Sequence, residues 1–245
     1  MKRIQLLTVC LMTTVTMTAQ LKEGRIVYER KINMHKNLSA ESQSMKNMIP
    51  EFSVSKVELL FNGDETIFRQ LPEESDIRES AGEGGERMMI RMGSDDNETY
   101  MNHSTGKMVE LRELGPRKYI IEDSIRKMTW KLTDDTKIIS GYSCRKAMTT
   151  NQRKLPVAAW YTEQIPYAGG PENFGGLPGM ILELNVAEGE VTFLPVEIKP
   201  SVDKNIVKVP VNGKKISRKD FEKMMEEQFG PRREGGGPVI RIRTN

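Results

Sequence analysis

Two histidines, His35 and His103, one cysteine beyond the first twenty residues, Cys144, and an uneven spread of methionine are the side chains of this sequence with chemistry to offer. Met34, Met45, Met48, Met88, Met89, Met92, Met101 and Met108 all fall before Leu111, and so do both histidines. Met45 and Met48 are three apart, Met88 and Met89 lie three to four before Met92, and Met101 shares a strand face with His103. Thioether sulfur with imidazole is a soft donor set of the kind that selects Cu(I). Methionine surrounded by Glu, Arg, Ser and Gly also lacks the packing role it has in an apolar element. Met34, His35, Met45, Met48, Met88, Met89, Met92, Met101 and His103 are therefore candidate copper ligands. The competing readings are adaptable hydrophobic cover over a sheet, a partner surface, or buffering against oxidation. Catalytic patterns are scarcer. Cys144 has no histidine near it in sequence, and no nucleophile elbow or zinc-protease spacing occurs. The acidic pairs Glu73-Glu74 and Asp95-Asp96 read as solvated surface.

The elements that would position these groups are mostly strands. Residues 25–33 alternate Ile26, Tyr28 and Arg30 against Val27, Glu29 and Lys31, a period of two. Residues 55–61 and 65–70 flank Asn62-Gly63-Asp64, and 99–103 and 107–114 flank Ser104-Thr105-Gly106; both read as hairpins. Further strands are expected over 119–122, 129–133, 137–139, 143–149 and 157–162, with 179–186 and 190–198 paired across Ala187-Glu188-Gly189. Ser217 can cap one helix that carries Phe221, Met224, Met225 and Phe229 and ends at Gly230-Pro231. Repeated short strands with one late helix predict a mainly β fold, an antiparallel curved sheet or half-barrel with a C-terminal helix. The polar segments 37–48 and 71–97 are expected to be mobile insertions, and 230–245 a flexible tail with alternating residues after Gly235-Gly236-Gly237.

The start of the chain, with Lys2 and Arg3 before an apolar run, reads as a signal peptide over 1–19, leaving 20–245 as a single domain. No later run is apolar for the length of a membrane span, so location is expected in the periplasm or at the outer membrane without a transmembrane span. The formal charge of +3 falls to +1 without Lys2 and Arg3 and leaves no footprint for nucleic acid. The unpaired Cys144 is expected to be buried.

From Trp130 onward the residues carry a resemblance. Gly176-Leu177-Pro178-Gly179-Met180-Ile181 is accompanied by Gly141-Tyr142-Ser143-Cys144-Arg145-Lys146-Ala147, by Trp160-Tyr161-Thr162-Glu163 with Ile165-Pro166, and by Gly170-Pro171 before Phe174-Gly175. This set resembles the family named for its GLPGLI motif, with Met180 in place of the second Leu. The resemblance implies an exported envelope protein and no particular activity. The pattern of strands and late helix is also similar to the half-barrel lipoprotein carriers of the envelope, a likeness of architecture alone. Read physically, Leu177-Pro178-Gly179-Met180 fits a type II turn, with Pro178 setting φ and Gly179 supplying positive φ. The same stretch offers a second candidate site, an aromatic mouth of Trp160, Tyr161, Tyr167 and Phe174 with Glu163 as its polar contact.

These observations lead to the expectation of a non-catalytic envelope binding or accessory protein, its partner an envelope protein or a small apolar ligand. A copper-handling protein is the alternative, and an enzyme comes third.

Overall fold

Asn62-Gly63 folds as its composition requires: Gly63 takes φ of 60° and brings the two flanking strands into an antiparallel pair. The structure, a computed structural model, describes residues 22–37, 46, 49–71, 79–81, 87–89, 97–200 and 206–229. The expected signal peptide, the tail 230–245 and most of 37–48 lie outside them.

In chain order the strands are β1 (Glu23–Asn33), β2 (Phe52–Asn62), β3 (Glu65–Gln70), β4 (Glu79–Ala81), β5 (Arg87–Met89), β6 (Glu98–Asn102), β7 (Lys107–Leu114) and β8 (Arg117–Ser124). They continue as β9 (Lys131–Ile139), β10 (Tyr142–Thr150), β11 (Pro156–Thr162), β12 (Met180–Val186), β13 (Val191–Lys199) and β14 (Lys214–Ile216), before helix α1 (Arg218–Phe229). Twelve of them form one curved, open sheet in the order β14-β8-β7-β6-β3-β2-β1-β13-β12-β11-β10-β9. Two meanders make all of it but β14, the first of β1, β2, β3, β6, β7 and β8 and the second of β9 to β13, joined where β1 pairs antiparallel with β13. The mainly β architecture with a C-terminal helix is the one the sequence predicts.

Three local features differ from expectation. The segment 71–97 carries the two-stranded ribbon β4–β5 rather than being wholly irregular. β9 is one strand where two were expected, because Asp134 and Asp135 break the apolar pattern on an edge strand, where charge is tolerated. β14 is three residues long and parallel to β8, too short to register as a period.

Both faces of the sheet bury apolar side chains. The inner face holds Ile26, Tyr28, Leu59, Phe61, Tyr161, Ile181, Leu184 and Phe193. Full burial of each large apolar side chain contributes about 1.5–3 kcal/mol. The outer face of the first meander buries Leu60, Ile67, Tyr100, Val109, Leu111 and Ile120 beneath Val207. Helix α1 lies on the inner face, its Phe221 ring meeting Tyr119 edge-on at 5.9 Å. Ser217 caps it: Oγ accepts from the Asp220 amide at 3.1 Å and donates to the Asp220 carboxylate at 2.6 Å. Cys144 is buried as expected, and burial pushes its thiol up to about 11. No helix among the described residues is long and apolar enough to cross a membrane.

Candidate functional site

Between β11 and β12 the chain crosses the inner face as a loop, residues 163–179, and buries Ile165, Tyr167, Phe174 and Leu177 against the sheet. The loop is tied to itself and to its frame: the Met180 amide donates to the Ile165 carbonyl at 3.0 Å, Ile181 to Gly169 at 2.9 Å and Gly176 to Ala168 at 2.9 Å. Tyr28 Oη donates to the Ile181 carbonyl at 2.7 Å, and Trp130 Nε1 to the Gly175 carbonyl at 2.9 Å. Gly179 does not have the positive φ expected of it; Gly176 does, at 84°. Gly179 is required for another reason, since a Cβ there would stand 2.0 Å from the Thr162 carbonyl oxygen.

The residues expected to form an aromatic mouth are dispersed. Tyr161, Tyr167 and Phe174 are core residues. Trp160, one position from Tyr161 on the strand, faces the other side, with Lys137 Nζ 4.3 Å and Lys146 Nζ 5.8 Å from its ring. Glu163 is exposed and pairs with Arg145 at 3.7 Å. Beneath the loop, the Tyr167 hydroxyl, Thr66 Oγ1 and His103 Nε2 are buried together, and the His103 ring meets Tyr167 edge-on at 5.2 Å. Burial lowers the His103 pKa, against the pull of Asp64.

Nor do Met34 and His35 meet Met101 and His103. Met34 and Met101 are buried, and His35 Nε2 is engaged with the Ile49 carbonyl at 2.8 Å. Asn102 registers with Glu65, Glu65 with Asn62 and Asn62 with Glu23. Met101 and His103 therefore stand level with the start of β1, three strands away, while Met34 and His35 follow its last residue, some 11 residues on. At about 3.3 Å per residue this is roughly 33 Å, too far for a shared ion. Met88 and Met89 belong to the separate ribbon, and Met45, Met48 and Met92 lie outside the described residues.

What the sheet does bring together is a row of polar side chains at one end of its inner face. Arg30 follows Ile26 and Tyr28 on the inward period of β1 and pairs in register with Ser55. Its Nε donates to Ser55 Oγ at 3.1 Å and its Nη2 to Gln70 Oε1 at 3.0 Å. Nη1 makes no hydrogen bond among the described residues. Further along, Thr99 registers with Glu110. Arg112 Nη2 donates to Thr99 Oγ1 at 3.1 Å and to Glu110. Arg218, at the first position of α1, donates to the other Glu110 oxygen and to Asp123 at 2.6 Å. Glu110, only 6% exposed, is thus neutralised by two guanidinium groups.

The loop adds Glu172. It is the first central residue of a tight turn in which the Phe174 amide donates to the Pro171 carbonyl at 3.1 Å, and it takes φ of 55°. A left-handed glutamate is strained, and such residues concentrate at functional sites. Its carboxyl makes no hydrogen bond among the described residues. Glu172 is exposed to solvent, with the inner face crowding its carboxyl on one side only. This partial desolvation raises its pKa, Arg30 and Arg112 pull it down, and Glu110 adds to the rise. The remaining contact with water blunts the effect. Desolvation in turn lowers the Arg30 pKa, with Glu172 opposing. A carboxyl inclined to keep its proton beside a guanidinium fork can donate a proton or a hydrogen bond while the fork holds an oxygen of the ligand.

Sequence reasoning did not single out Glu172, Arg30, Arg112, Glu110 or Arg218. Arg30 did carry a signal, a cation in register with Ile26 and Tyr28 on the apolar side of a strand.

Comparison with known proteins adds three findings. A sequence profile described as N-glycanase peptide, N-terminal domain, matches residues 90–222. Two crystal forms of PNGF-II, in space groups P21 and C2, share the fold at a TM-score of 0.55, with 14% and 15% identity, and cover 85% and 84% of this chain. The chain spans only about a third of those structures, 34% and 33%. A comparison with curated protein sequences finds no match. The profile match overturns the expectation of a non-catalytic envelope module, and of copper handling as its alternative, because the matched family is that of an N-glycanase.

Proposed function

We propose, from the premise that this chain belongs to the N-glycanase N-terminal domain family, that it acts in the removal of N-linked glycans from glycoproteins. In this reading the polar row of the inner face takes the glycan-bearing substrate, and Glu172 is its chemically active group. The observation that carries the reading is Glu172 itself, a glutamate in the left-handed region whose carboxyl makes no hydrogen bond among the described residues and feels the charges of Arg30 and Arg112. Sugars present many hydroxyl groups, and a row of guanidinium, carboxyl, hydroxyl and amide groups can satisfy donors and acceptors together. Arg30 would hold ligand oxygens, Glu172 would supply or receive a proton, and Arg112 and Arg218 with Glu110 would fix the row to α1. An exported setting, expected from the start of the sequence, suits a partner that is itself a glycoprotein.

The test is incubation of the purified chain with a fluorescently labelled N-glycopeptide, following binding by anisotropy and glycan release by mass. Glu172→Gln is expected to retain the fold and lose release, and Arg30→Ala to weaken binding as well. Neither binding nor release by the unaltered chain would refute the reading.

A further inference from the structure

The three arginines of the inner row are not alike. Arg112 and Arg218 share the Glu110 carboxylate, and Arg218 also holds Asp123. Arg30 touches only neutral acceptors, Ser55 and Gln70, and one face of its fork, at Nη1, is unoccupied among the described residues. Among the described residues no carboxylate contacts this partly desolvated guanidinium, an unusual arrangement, since such groups are normally paired. The acidic group that acts on it, among the described residues, is Glu172, which stands on a left-handed turn of the loop rather than on the sheet and makes no hydrogen bond to a described residue.

We propose that Arg30, with Glu172 opposite it, forms a subsite for a carboxylate-bearing sugar at the acidic end of a glycan. This deepens the reading above and rests on it for the glycan, though not for the carboxylate. The guanidinium fork matches a carboxylate with two parallel hydrogen bonds, and Arg30 is already oriented by Ser55 and Gln70, so little side-chain freedom remains to be lost. Glu172 acts as a displaceable stand-in for the ligand's own carboxylate. With Glu172 ionised, the charged groups of the row balance: Arg30, Arg112 and Arg218 against Glu110, Asp123 and Glu172. With Glu172 protonated, one positive charge is left over at Arg30, and the protonated carboxyl can donate to the incoming anion. The groups that face Glu172 electrostatically are Arg30 on β1 and Arg112 and Glu110 on β7. Glu110 is already shared by two arginines, whereas Glu172 makes no hydrogen bond among the described residues. Acidification is therefore expected to open the subsite, and ionisation of Glu172 to close it against anions.

The experiment is calorimetric titration of the full chain with sialyllactose, with lactose and with N-acetylaspartate, at one pH below and one pH above the Glu172 transition as located by NMR titration. Sialyllactose is expected to bind at least about tenfold more tightly than lactose, and more tightly at the lower pH. Glu172→Gln should bind it equally at both pH values, at the affinity the unaltered chain shows in acid. Arg30→Lys keeps the charge but removes the fork, and should lose the preference for sialyllactose over lactose; its melting temperature reports whether it has folded. Equal affinity for sialyllactose and lactose, or an unchanged pH dependence in Glu172→Gln, would overturn the subsite. Tighter binding of N-acetylaspartate than of sialyllactose would overturn its assignment to a sugar. A neutral N-glycopeptide that binds and is processed while sialyllactose shows no preference leaves N-glycan removal standing and removes only the acidic subsite. The converse result separates the two in the other direction.

Discussion

The two meanders of the sheet are built from similar strands but buried differently. In the first, β2 buries five consecutive residues, Val57 to Phe61, and β7 buries four, Met108 to Leu111. In the second, β10 buries only Cys144 and Ala147, and β13 leaves Leu194 and Val196 42% and 52% exposed. The cause is coverage. The first meander has Val207 and its neighbours on the outer face and part of the loop and α1 on the inner, whereas the second is covered on the inner face by the loop 163–179 while its outer face meets water. A strand covered on both sides reads as a continuous apolar run, and one covered on a single side as an alternation. One sheet therefore shows both patterns, and the change between them falls at the β1–β13 junction.

Four substitutions would sharpen or break this contrast. The largest effect is expected at Gly179, where any side chain meets the Thr162 carbonyl: Gly179→Val should destabilise the second meander by more than about 4 kcal/mol, read as a collapse of the denaturation midpoint. A midpoint within error of the unaltered chain would mean that the loop does not sit against β11. Leu60→Ala comes next at about 3 kcal/mol, because Leu60 is 1% exposed on an outer face that only the first meander buries. A negligible loss in chemical denaturation would show that Val207 and its neighbours are not a true cover. Glu172→Gln should raise the melting temperature at neutral pH. A carboxyl with its folded pKa above the unfolded one contributes stability at low pH that is lost as the pH rises through the folded value, and glutamine has nothing to lose. Below about pH 4 the two proteins should melt together; a variant less stable at neutral pH would reverse the sign assigned to desolvation. The smallest effect is expected at Leu194, on the bare outer face, where Leu194→Ala should stay within about 0.5 kcal/mol. A loss comparable with that of Leu60→Ala would erase the contrast.

Much of the scaffold was legible because its signals are local. Asn62-Gly63 and Gly106 turn hairpins through positive φ, the alternation over 25–33 is β1, and Ser217 caps the helix where expected. The loop 163–179 was legible only as a cluster of Gly, Pro and aromatic residues. That Gly176 rather than Gly179 would take the left-handed conformation depends on the Gly176 to Ala168 hydrogen bond, and the need for Gly179 depends on Thr162, seventeen residues earlier. The candidate site was the least legible part. Arg30 looked like an ordinary outlier in an alternating strand, and Glu172 acquires its surroundings only because the loop lays it over β1 and β7, residues distant from it in sequence. The methionines misled for a related reason. Their spacing is local, but the length of β1 sets Met34 and His35 apart from Met101 and His103, and spacing carries no information about that length in space.

The junction of β1 with β13 also has a consequence for how the molecule comes into being. Within each meander, neighbouring strands are joined by short turns, apart from the ribbon-bearing 71–97 segment, the 34–51 connection and the loop, so most pairings close over short spans of chain. The pairing of Arg30 with Phe193 closes across more than 160 residues, and long closures of this kind are slow relative to hairpin formation. The meanders are thus expected to form as separate units and to join late. Arg30 arrives with one and Glu172 with the other, so their meeting marks the completion of folding: a chain stalled with both meanders formed would have nearly all of its hairpins and none of its site.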